Sequence, residues 1–192
     1  MRKIVAVVGN SLANENSVNY KLAFEIGKLL IDNGYRLQCG GLNGVMLAAC
    51  KGAHASKKYR EGDVIGILPG FDSTVHNPYV DIPIATGLDL YRNVIVANAN
   101  AVIAVGGGSG TLSEIANAWA MHKLIVGLTP SEGWGSKLAG APLDSRIRYN
   151  GGNDGVAEDK IYAAATPEEA LSIINDKIDY YIKSYSGITP HN

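Results

Sequence analysis

Hydrophobic positions fall into two patterns along this chain. Short apolar runs occur at Ile4 to Val8, Val64 to Leu68, Ala101 to Val105 and Leu124 to Leu128, and Tyr35 to Cys39 reads as a further strand. Between them lie stretches whose apolar residues recur at helical spacing. Ser17 is placed to cap a helix running to about Asn33, with Ala23, Ile26, Leu29 and Leu30 as its stripe and Asn33-Gly34 as its stop signal. Further helices are predicted over Val45 to about Ala55, Asp89 to Asn98 and Thr111 to Met121. A last helix begins at the capping box Thr166-Pro-Glu-Glu169 and runs to about Ser184, with Ala170, Ile173, Ile174 and Ile178 inward. Val80 to Ile82 and Lys160 to Ala164 read as short strands. Strands that are apolar throughout are covered on both faces. Together these patterns predict an α/β fold, a doubly wound and mostly parallel sheet with helices on both faces, built as one domain over residues 1–192.

The helix predicted over Asp89 to Asn98 stands out. Leu90, Val94, Ile95, Val96 and Ala97 put apolar groups nearly all round it. In a chain this short, a second apolar face is expected to meet another subunit, which implies a homo-oligomer. Arg92 then sits on a helix with little solvent. Ser131 to Asp159 is long, irregular and glycine-bearing, as a lid, a binding loop or a disordered segment would be.

Composition narrows the classes of function. Net charge is −1, from 17 basic and 18 acidic residues with no basic block, so no nucleic-acid footprint is visible. No apolar stretch approaches the ~20 residues that span a bilayer, so no membrane partner is expected. Cys39 and Cys50 are the only cysteines and have no zinc spacing, which points to a reducing cytoplasm. His54, His76, His122 and His191 are scattered without metal-ligand spacing, so no metal site is expected.

The 23 glycines are the one compositional bias. Ala101 to Val105 leads directly into Gly106, Gly107, Gly108, Ser109 and Gly110, and then into the helix beginning near Thr111. A strand, a glycine turn and a helix N-terminus in that order form an anion site. The backbone can approach a phosphate closely, and the helix start offers unpaired N–H groups. The pattern recurs at Gly40, Gly41, Asn43 and Gly44, where close helix–sheet packing is an equal explanation. Gly9, Asn10 and Ser11 form the first turn of the sheet, where doubly wound folds meet their ligands. Candidate ligand contacts are therefore Gly9, Asn10, Ser11, Gly40, Gly41, Asn43, Gly44, Gly107, Gly108, Ser109, Gly110 and Thr111. Glu114 lies one turn into the helix. It could orient water near the C1′ of a nucleoside monophosphate, with Arg92 neutralising the phosphate or fixing the carboxylate. Thr111-Leu-Ser-Glu114 is also the spacing of a capping box, in which Glu114 would only satisfy a backbone N–H.

Gly106-Gly-Gly-Ser-Gly-Thr-Leu-Ser-Glu114 resembles the PGGxGTxxE signature of the LOG proteins, the LONELY GUY-type phosphoribohydrolases formerly called lysine decarboxylase-like. The chain is similar, more closely, to the molybdenum cofactor carrier proteins. That similarity lies in Gly44-Val-Met with Lys51-Gly-Ala53, Ile65-Gly-Ile-Leu-Pro-Gly70, and Val80-Asp-Ile-Pro-Ile-Ala-Thr-Gly-Leu88. The resemblance covers roughly residues 3 to 128. It implies a Rossmann-like fold, an oligomer (dimer or tetramer) and a phosphate-bearing ligand on the glycine loop. It also implies that Arg92 and Glu114 match catalytic positions of the hydrolases and Thr111 a phosphate contact. Gly106 stands where the signature has proline, and Asn93 where a basic residue usually follows the arginine. Two functions are thus expected in competition. The first is a cytoplasmic carrier of a phosphorylated ring-bearing small molecule, the molybdenum cofactor or a nucleotide. The alternative is hydrolysis of nucleoside 5′-monophosphates by Glu114 and Arg92.

Overall fold

The computed structural model describes residues 1–145 and 159–184. Seven strands form one parallel sheet: β1 (Ile4–Gly9), β2 (Arg36–Cys39), β3 (Val64–Leu68), β4 (Ile82–Ala85), β5 (Ala101–Val105), β6 (Leu124–Leu128) and β7 (Tyr162–Ala164). Their order across the sheet is β4-β3-β2-β1-β5-β6-β7. The helices are α1 (Val18–Asp32), α2 (Val45–His54), α3 (Asn93–Ala97), α4 (Ser109–Ala120), α5 (Trp134–Lys137) and α6 (Pro167–Ser184).

Alternation along β1 shows how one strand serves two cores. Val5 and Val7 join Ile26, Leu30, Ala49 and Ile174 from α1, α2 and α6. Ala6 and Val8 join Val96, Ile115, Ala118 and Trp119 from α3 and α4 on the opposite face. The sheet is therefore doubly wound, as the uniformly apolar strands required. Chain direction across the sheet reverses at β1: β2 is added on one side and β5 on the other. The crevice beyond the carboxyl ends of β1 and β5 is the topological switch point.

Local signals explain the helix ends. Ser17 caps α1 by accepting the Tyr20 N–H, and Gly34 follows at φ 81°. At α6, Thr166 accepts from the Glu169 N–H at 3.2 Å, while Glu169 accepts from Ala165 at 2.6 Å, one residue earlier than the usual capping box.

Three expectations need correction. Asp89 to Asn98 is not one helix. A 3₁₀ turn, Asp89–Arg92, starts from Asp89 at φ 48°, and only Asn93–Ala97 is α-helical. The β-branched run Val94-Ile95-Val96 favours helix weakly, which accounts for its shortness. Its apolar groups do not all reach the core: Val96 and Ala97 are buried, whereas Leu90 is 72% and Tyr91 84% exposed. The fourth strand begins two residues later than predicted, at Ile82, with Pro83 tolerated because β4 is an edge strand. The last strand is shorter than expected, Tyr162–Ala164. Of the long irregular segment, α5 is helical, and residues 146–158 lie outside the described residues.

Candidate functional site

At the switch point lies a cleft of about 350 Å³. Its floor is the end of β1, and Gly9, Asn10, Ser11 and Leu12 form one wall. Gly40, Leu42 and Met46 come from the β2–α2 turn, Leu90, Arg92 and Asn93 from the 3₁₀ turn and the start of α3, and Gly108 to Thr111 with Glu114 from α4.

Helix α4 opens into this cleft without a side-chain cap. Gly108 is its N-cap, and the first helical bond runs from Leu112 N–H to Gly108 O at 2.9 Å. The N–H groups of Ser109, Gly110 and Thr111 precede that bond and have no acceptor within the helix. Donors there, at the positive end of the helix dipole, suit an anion. Thr111 is therefore inside the helix, so the capping-box reading of Thr111 and Glu114 does not describe this helix.

Glu114 instead faces Arg92. Arg92 Nη1 lies 3.2 Å from Glu114 Oε1, and the two residues are 9% and 7% exposed. Burial pushes the Glu114 carboxyl up to about 7, against the lowering pull of the Arg92 charge and hydrogen bond. Glu114 thus exchanges a proton near neutrality, beside a cation, within the cleft. Asn93, also buried, links α3 to α4: its Nδ2 donates to Ser113 Oγ at 2.7 Å and lies 3.4 Å from Gly110 O.

The structure brings Gly9, Asn10, Ser11, Gly40, Gly108, Ser109, Gly110 and Thr111 together with Arg92 and Glu114. Four candidates stand outside the lining. Gly41 packs on Leu68 and Gly66, Gly44 on the backbone of Asn10 and Ser11, and Gly107 on the Thr111 side chain, while Asn43 is exposed. Irregular segments such as Phe71 to Pro83 and Ser131 to Asp159 are the expected walls of a pocket in this fold. Within the described residues they do not, and the walls come from the turns after β1, β2 and β5 and the turn before α3. Nor do aromatic rings line it: Trp119 is core, Tyr79 meets His54 edge-on, and Tyr91 faces outward. Leu12, Leu42, Met46 and Leu90 supply the apolar wall instead. Periodicity singled out only Leu90, and as a helix face; the contact of all four with the cleft is set by turn geometry.

Sheet order, switch-point cleft and uncapped helix together define a Rossmann-like α/β protein with an anion-suited site. A family model described as the SLOG cluster4 family matches residues 2–171, and the chain belongs to that family. This bears out the resemblance carried by the glycine signature. An uncharacterized protein of Archaeoglobus fulgidus is 40% identical over 127 residues, 66% of this chain and 80% of the relative. The structure of the molybdenum cofactor binding protein from the phototrophic bacterium Rippkaea orientalis is similar, with 30% identity and a TM-score of 0.73 over 93% of this chain and 98% of that one. The molybdenum cofactor carrier protein of Chlamydomonas reinhardtii is similar at 29% identity and a TM-score of 0.70, over 91% and 98% of the two chains. Among the described residues, no helix is long and apolar enough to cross a membrane.

Proposed function

We propose that this protein binds and carries a phosphorylated, ring-bearing small molecule of the molybdenum cofactor type. The observation that carries the reading is the convergence of the uncapped α4 N-terminus and the buried Arg92 on one switch-point cleft. The phosphate sits on the N–H groups of Ser109, Gly110 and Thr111, and the ring lies toward Gly9, Asn10 and Ser11 and the apolar side chains Leu42 and Met46. Near-complete alignment with proteins named for binding and carrying the molybdenum cofactor supports that choice of cargo. The carrier acts as a homo-oligomer in the cytoplasm. Support for the first point is the exposed apolar face of Leu90, Tyr91, Val94 and Ile95, and for the second the two cysteines, which are free thiols.

The experiment is retention of molybdenum cofactor by the purified protein through gel filtration, with Gly108→Val and Thr111→Val as comparisons. Retention near one ligand per chain, weakened at least tenfold by either variant, is expected for loss of one or two charge-assisted hydrogen bonds. Absence of retention, or retention indifferent to both variants, contradicts the reading. One observation favours a second reading: Glu114, protonatable near neutrality beside Arg92, is equipped for general acid–base work on an N-glycosidic bond. Release of free base from a nucleoside monophosphate, lost in Glu114→Gln, would establish it.

A further inference from the structure

The contact between Arg92 and Glu114 is single. Nη1 meets Oε1, and among the described residues neither side chain has another hydrogen-bond partner. Both line the cleft into which α4 opens. The remaining guanidinium donors, without a partner among the described residues, are open to an anion in that cleft.

The surroundings leave Glu114 few other charges. Helix α4 packs against α3, α5, β1, β5 and β6. The described strands β1, β5 and β6 carry no ionisable side chain, and α3 contributes the neutral Asn93. In α5, Lys137 lies over the Trp134 ring, 5.1 Å from its centroid. The turn before α3 holds Arg92 and an exposed Asp89. At the end of β2, the buried Cys39 thiol feels both members of the pair, and Arg92 lowers its pKa while Glu114 raises it. Among the described residues, Arg92 is thus the one neighbouring cation that offsets a Glu114 carboxylate.

We propose that Arg92 is a shared cation: a phosphate arriving at the α4 N-terminus takes the guanidinium from Glu114, and Glu114 takes up a proton from solvent as it does so. The step balances. A phosphate dianion, the Arg92–Glu114 ion pair and one proton give a phosphate–Arg92 pair beside a neutral carboxylic acid. Without that proton, two anions would compete for one guanidinium in a desolvated site. Cargo capture is then proton-linked, and a rise in pH loosens the ligand. This rests on the phosphate reading of the cleft and adds its regulation.

The sign follows from burial. In the structure the Glu114 carboxyl titrates at about 7, and a bound dianion keeps it protonated to higher pH. Affinity is therefore greatest near neutrality and falls as pH rises above it. Phosphomonoesters have a second pKa of about 6, so the ligand's charge is constant above neutrality and does not mask the effect.

The test is calorimetric titration with AMP between about pH 7 and about pH 9, in two buffers of different ionisation enthalpy. Expected results are a Kd that rises by up to about tenfold per pH unit and an uptake near pH 8 approaching one proton per site. Glu114→Gln, which mimics the neutral acid, should show a flat Kd and no uptake. AMP binding with constant Kd and no uptake overturns the proton linkage and leaves the phosphate site standing. Uptake that survives Glu114→Gln assigns the proton elsewhere and overturns it as well. No AMP binding at any pH overturns the linkage, and retention of molybdenum cofactor then decides the site by itself. Should Glu114→Gln fail to fold, the proton count in the unaltered protein still decides.

Discussion

A methyl group on Gly40 would lie 2.6 Å from both terminal nitrogens of Arg92. The second glycine turn is thus the shelf against which the guanidinium lies. Arg92 in turn reaches Glu114 at 3.2 Å, so one glycine positions the charge of the whole cleft.

Gly40→Ala is therefore expected to act on binding more than on folding. The methyl group meets the far end of a flexible side chain, which can move into the cleft. Ligand affinity should fall about 10- to 100-fold, the worth of one hydrogen bond to a charged group, while the thermal midpoint shifts by only a few degrees. Calorimetry and a melting curve on the same sample check both halves. Unchanged affinity would contradict the positioning role.

Neighbouring glycines of the α4 turn should separate fold from site. Gly107 has φ 95°, and a Cβ there would lie 2.1 Å from Thr111 Oγ1, whereas Gly108 has nothing within 4 Å. Gly107→Ala is expected to destabilise by about 1–3 kcal/mol through backbone strain, with overpacking in addition. Gly108→Ala should leave stability nearly unchanged and cost affinity by crowding the phosphate. Urea unfolding of the two variants, beside ligand titration, tests the contrast.

That contrast also marks how far the residues alone could be read. The strands β1, β3, β5 and β6 were legible because their short apolar runs read as strands covered on both faces, and β2 because its apolar residues lie between turn signals. Ser17 and the Thr166 box gave helix starts through side-chain chemistry that works within one turn of chain. The 3₁₀ turn before α3 was not legible, since its tight entry depends on the backbone of Asp89 rather than on any apolar period. The site was half legible. Gly108 to Thr111, Arg92 and Glu114 were nameable from motif and resemblance. Separating Gly40, which touches Arg92, from Gly41, which touches Leu68, needed the register of a turn. Leu12, Leu42, Met46 and Leu90 meet only in three dimensions, so no one-dimensional signal could collect them.

Stability should carry the signature of Glu114. Its folded pKa, about 7, is above the unfolded value of 4.5, so the group's contribution to stability is complete below pH 4.5 and is lost as pH rises through 7. The loss is on the order of 3 kcal/mol at most, from the size of the shift. Glu114→Gln should remove this component of the pH dependence. Urea unfolding across that window, for both proteins, makes the comparison. Parallel pH profiles would contradict the raised carboxyl.

The exposed face beside the cleft should be an interface between copies. Leu90 is 72% and Val94 43% exposed, next to the buried Val96 and Ala97. Leu90→Asp combined with Val94→Asp is expected to convert a dimer or larger assembly to a monomer in light scattering. An unaltered protein that is already monomeric in light scattering would contradict the expectation.

A carrier's cleft holds its ligand without breaking it. The most direct measurement is to incubate the purified protein with molybdenum cofactor and, separately, with AMP, then recover and quantify every ligand-derived species. Intact molybdenum cofactor recovered with the protein, and AMP returned without free adenine or ribose 5-phosphate, is the expected result. Adenine released in step with ribose 5-phosphate, and abolished by Glu114→Gln, would contradict the carrier reading and make the Arg92–Glu114 pair the centre of a hydrolase.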